Sequence, residues 1–202
     1  MNAVTDITVH HTILTGNLGD MGLDVDDCNR IAALAEAAIA ARLEEEYPDV
    51  PRRIISDVQS AAGVGGGIGV TMLEHDADLG FDIPSREENG WVHVLTELCN
   101  DVTEAYMEFK AYAKAGLYTV DGKRYALTRD AELTNRLFCD GHVNFNDVAD
   151  GETYDEEWSA PAVDEAGNAF EVFWIFENTK GEGGVESPED FPWGNVDRVK
   201  PR

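Results

Sequence analysis

Positive charge is scarce in this chain: 15 lysines and arginines stand against 40 aspartates and glutamates in 202 residues, a formal net charge of −25. No lysine precedes Lys110, so the first half has only arginine to offset its carboxylates. Such a surface repels nucleic acid, anionic lipid and phosphorylated substrates within the screening length, about 8–10 Å at physiological salt, which argues against a direct nucleic-acid binder. Long apolar runs are missing too. The alanine-rich stretch from Ile31 to Ala41 is interrupted by Glu36 and falls short of the ~18 residues of a membrane span, so no membrane partner is expected. The amino end, MNAVTDITVH, lacks the basic and apolar regions of a secretory leader, and a cytoplasmic location is expected. Cysteine is sparse as well. Cys28, Cys99 and Cys139 are widely spaced, form neither a disulfide framework nor a CxxC clip, and suit buried thiols in a reducing compartment.

Catalytic signatures are equally thin: there is no GK[ST], HExxH or GxSxG and no Cys/His pairing pattern, so neither an enzyme nor a cofactor is expected. With 40 acids, a carboxylate pair of the glycosidase kind arises by proximity alone. The glycine cluster from Gly63 to Gly69 is followed by a strand-like segment, whereas a phosphate-binding loop must lead into a helix.

What is present is an ordinary globular composition, 43% hydrophobic and 27% charged. Alternation over Ile7, Val9, His11 and Ile13 predicts a strand, which puts His10 and His11 on opposite faces. Asp24 or Asp26 caps a predicted helix to about Glu46, with a buried stripe through Ile31, Leu34, Ala38 and Ala41 or Arg42, ended by Pro48 and Pro51. Strands are expected at Arg53–Gln59 and Ile68–Leu73. A second helix, Trp91–Lys114, carries an apolar face through Val94, Leu95, Leu98, Val102, Ala105, Tyr106, Phe109, Tyr112 and Ala113. Asp121-Gly122 joins two β runs as a two-residue hairpin. A short helix is expected at Arg129–Cys139, capped by Thr128, and a final hairpin pairs Trp158–Val163 with Phe170–Phe176 through Asp164–Asn168. This order implies an α+β fold, two main helices packed on small antiparallel sheets and hairpins. The expected organisation is an N-terminal half at 1–84, a helix and hairpin half at 85–178 that shares or adjoins its core, and an irregular tail at 179–202 pinned by Phe191 and Trp193.

Two acidic features stand out. On the second helix Glu97, Asp101, Glu104 and Glu108 follow at steps of 4, 3 and 4, which at 100° per residue places them within about a 60° arc, with no lysine or arginine at a neutralising spacing. Glu152, Asp155, Glu156 and Glu157 precede the final hairpin, and Glu44–Glu46 crowd a helix carboxyl end where the macrodipole disfavours anions. Glu74, His75, Asp76 and Asp78 gather hard-cation and imidazole ligands in one segment, but their spacing fits no EF-hand, and no resident metal is expected. Since about one residue in five is acidic, each cluster also reads as a solvated surface.

These patterns point to a non-enzymatic acidic binding protein whose carboxylates imitate nucleic-acid phosphates. It would occupy the basic groove of a DNA- or RNA-handling protein, such as a nuclease, restriction enzyme or RNA-guided defence complex, as phage and mobile-element inhibitors do. Glu97, Asp101, Glu104 and Glu108 would be the phosphate surrogates, with Glu152, Asp155, Glu156 and Glu157 extending the surface; monomer and homodimer are both open. The competing reading is an enzyme or housekeeping domain whose acidity and low lysine content are salt adaptations. A third is a divalent-cation protein using the Glu74–Asp82 segment.

Overall fold

The computed structural model describes residues 4–14, 22–59, 67–76, 81–84, 90–138, 145–181, 189 and 191–202. They form an α+β protein that divides into two compact units, 1–106 and 107–202.

The first unit is a four-stranded sheet in the order β2-β1-β3-β4, with β1 at Val4–Leu14, β2 at Arg52–Gln59, β3 at Gly67–Asp76 and β4 at Phe81–Pro84. β1 and β2 are parallel, joined by the helix α1 (Val25–Glu46), so the sheet is mixed and not purely antiparallel. Asp24 caps α1: its carboxylate accepts from Asp27 N–H at 2.9 Å, and the Asp27 carboxylate accepts from Asp24 N–H at 2.9 Å, satisfying two orphan donors. The buried stripe of α1 runs Cys28, Ile31, Ala32, Ala35, Ile39 and Leu43, so the face predicted through Leu34, Ala38 and Ala41 is rotated. The larger apolar side chains Ile39 and Leu43 choose the face, because they remove the most area from water. They meet Ile7, Val9, Val70 and Met72 of the sheet and Leu95 and Cys99 of the helix α2 (Trp91–Tyr112). The two compact units divide at 106/107, within α2, and not at the expected 84/85 in the polar segment 75–90, where β4 pairs back on β3.

The second unit is an antiparallel sheet in the order β10-β9-β8-β6-β5, with β7 also pairing β8. Its strands are β5 (Leu117–Val120), β6 (Lys123–Leu127), β7 (Glu132–Phe138), β8 (Thr153–Asp164), β9 (Ala169–Thr179) and β10 (Arg198–Pro201). The Asp121-Gly122 hairpin forms as predicted, with φ of 51° and 77°, the left-handed pair a two-residue turn needs. The β8–β9 turn is held by the Asp164 carboxylate, which accepts from the N–H groups of Ala166 at 3.0 Å and Asn168 at 2.9 Å.

Two expectations change here. The segment 129–139 is not a helix: Glu132–Phe138 is β7, laid against the first half of β8. Thr128 caps nothing, and its hydroxyl donates to the Pro161 carbonyl at 3.2 Å, which leads the chain into the sheet. The segment 179–202 is not wholly irregular, because β10 adds an edge strand beside β9. Phe191 and Trp193 do pin it. They pack on Trp158, Trp174 and Phe176, and Trp174 Nε1–H donates to the Trp193 carbonyl at 2.8 Å.

Candidate anionic interface

α2 buries Leu95, Cys99, Thr103, Tyr106 and Phe109, at steps of 4, 4, 3 and 3. That stripe fixes the opposite one as outward, and Glu97, Asp101, Glu104 and Glu108 are all exposed on it. Over the eleven steps from Glu97 to Glu108 the helix rises about 16 Å, so four carboxylates line one side of it. None of the four makes an ion pair or side-chain hydrogen bond among the described residues. Thr96 and Thr103 turn their hydroxyls back to the carbonyls of Val92 and Cys99, at 2.7 and 2.8 Å, and so do not neutralise the row. The row combines unshielded like charge with a rigid spacing.

The second predicted cluster is dispersed. Glu152, Asp155, Glu156 and Glu157 do not lie on a loop before the hairpin but run into its first strand, β8, where alternation sends Asp155 and Glu157 to one face and Glu156 to the other. Glu152 accepts from Ala149 N–H at 2.7 Å, and Glu157 pairs with Arg198. Glu156 is 2% exposed and accepts from Arg136 Nε at 3.1 Å, Tyr154 Oη at 3.2 Å and Trp158 Nε1 at 3.3 Å. Burial, followed by the nearby Glu156 charge, pushes the Tyr154 phenol above its ordinary range, so it remains a donor to that carboxylate. Glu156 and Glu157 are therefore engaged within the sheet, and the four acids do not form one anionic face. In the Glu44–Glu46 cluster two of the three acids are paired, Glu44 with Arg52 and Glu45 with Arg42, the latter at 3.3 Å.

Among the described residues no three His, Cys, Asp or Glu side chains gather to hold a metal ion. Glu74 and His75 are successive residues of β3 and point to opposite faces, which breaks up the predicted ligand segment; Asp78 and the Asp76 side chain lie outside the described residues. Gly67 and Gly69 are in β3, so a strand and not a helix follows the glycine cluster, whose residues 63–66 lie outside the described residues.

Sequence reasoning missed a polar cavity of about 210 Å³ in the second unit, lined by Arg129, Asp130, Glu132, Ser159, Glu171 and Arg202 among others. Ser159 Oγ donates to Glu171 Oε1 at 2.6 Å and Arg202 Nε approaches Glu171 Oε2 at 3.2 Å, so both carboxylate oxygens are engaged. No local pattern foretold this, since the partners come from β8, β9 and the carboxyl terminus. Comparison of the chain with protein-family models, with curated proteins and with solved structures returns no match.

Proposed function

We propose that this chain is a non-enzymatic acidic binding protein of the cytoplasm, in which the α2 carboxylates stand in for nucleic-acid phosphates. They would occupy the basic groove of a DNA- or RNA-handling protein, of the nuclease, restriction or RNA-guided defence kind. One observation carries the reading: Glu97, Asp101, Glu104 and Glu108 are exposed on one side of a single helix and unpaired among the described residues, whereas Glu44, Glu45, Glu156, Glu157, Glu165 and Glu171 are each matched to an arginine. Like charges at these spacings cost a few tenths of a kcal/mol per pair, so the row is tolerated against local stability. Successive carboxylates advance about 4.5–6 Å, near the spacing of phosphates along a winding strand. The interface is the α2 row alone, without the β8 acids.

The test is calorimetric titration against purified nucleases and RNA-guided complexes at low and high salt. Binding should weaken steeply as salt rises and disappear in E97Q/D101N/E104Q/E108Q, while a variant neutralised at Glu132 and Glu177 binds normally. Salt-independent binding, or full binding by the quadruple variant, would exclude the reading.

A further inference from the structure

His11 lies on the core face of β1, in line with Ile7, Val9 and Ile13, and is 0% exposed. Neither Nδ1 nor Nε2 has a hydrogen-bond partner among the described residues. Its cross-strand neighbour on the parallel strand β2 is Ser56, whose Oγ is also buried and without a partner among the described residues. Two orphaned polar groups side by side in one core are uncommon, because each forfeits its hydration without replacement. On the other side His11 faces Val70 of β3, which offers no hydrogen bond. α1 packs over β1 and β2 and brings Glu36 as the charge acting on the imidazole; Asp57, next to Ser56, alternates to the opposite sheet face and is exposed.

We propose that His11, set beside Ser56, is a proton-sensitive latch of the first unit: His11 takes up a proton only when the β1–β2 pairing beneath α1 opens, so acidification loosens this unit selectively. An imidazolium in that position would be shut off from bulk solvent and, among the described residues, would have no acceptor at hydrogen-bond distance, whereas the opened state exposes it to solvent. Burial lowers the affinity of His11 for a proton and outweighs the opposing pull of Glu36. The sign follows. Above the ordinary imidazole value of ~6.5 both states are neutral and the unit is fully stable; below it the open state binds the proton and stability falls until the folded-state value is reached.

Hydrogen exchange of the full chain at pH 7.5 and 5.5, corrected for intrinsic chemistry, tests the latch. Peptides covering β1, α1 and β2 should open about tenfold more at the lower pH, and those from β8 and β9 should not change. His11→Leu should abolish the difference, His10→Gln should keep it, and Ser56→Ala should slow opening at both pH values with the ratio preserved. An unchanged wild-type ratio, or a pH dependence that survives His11→Leu, would overturn the proposal. If His11→Leu does not fold, titration of the wild-type His11 ring by carbon NMR decides: no protonation of the folded form down to pH 5.5 supports the latch, and a midpoint near ~6.5 overturns it.

Discussion

A carboxylate as buried as Glu156, 2% exposed, survives in a core only where donors replace its hydration shell, and the guanidinium, phenol and indole around it do so. Arg136→Met removes the only one of these three that is cationic. We expect a loss of about 1–2 kcal/mol in chemical denaturation, less than for a fully buried pair because the Arg136 side chain is 40% exposed and screened by solvent. None of this was legible from residues 152–157, where four acids in six positions look like one solvated patch. A residue's partner sets its role, and here the partner lies 20 positions away on a strand that the sequence presented as a helix. The thiols were easier to read. Cys28 and Cys99 are buried as expected, and burial pushes the Cys99 thiol up to about 11; Cys139 lies outside the described residues. Site-resolved alkylation at neutral pH should leave Cys28 and Cys99 unlabelled until the first unit unfolds. Labelling of either at the rate of a free thiol in the native protein would contradict this.

Elements that carry their own punctuation were the ones that could be read locally. Asp24 begins α1 and Pro48 follows its end, and Asp121-Gly122 sets a turn with both residues at positive φ, so chain stiffness and turn chemistry decide them without tertiary help. Asp24→Ala should lower the stability of the first unit by about 1 kcal/mol, because the Asp27 N–H loses its acceptor. Gly122→Ala should cost about 1–2 kcal/mol in the second unit, as a Cβ at φ of 77° is strained even though open space surrounds it. Thermal melts of each variant against the wild type measure both. β7 lacked such punctuation. Leu133 and Leu137 are spaced as for a helix, and only the open flank of β8 made extended pairing the better outcome. The same holds for β10, a four-residue segment that is a strand because Phe170–Phe173 offer it an edge.

At the scale of the molecule the question is what balances a formal charge of −25. Arginines meet acids at the junction of α1 with β2 and across the second sheet, while the α2 row stays unmatched. If that row is a binding surface and not an adaptation to concentrated salt, the fold should persist when salt is removed; circular dichroism melts from low to molar salt should show an intact native signal throughout. Loss of that signal at low salt would favour the salt-adapted reading. No helix among the described residues is long and apolar enough to cross a membrane, in keeping with the interrupted apolar runs. The sequence by itself determined the two long helices, the Asp-Gly hairpin, the α+β class and the outward row of acids on α2, because each depends on periodicity or on residues within a few positions of one another. Only the tertiary structure decided that β1 and β2 run parallel, that Glu156 and Glu157 are structural, and that His11 lies beside Ser56 without a hydrogen-bond partner among the described residues. Those outcomes depend on which distant strands pair, and strand pairing is settled by burial across the whole sheet, a quantity no local window of residues contains.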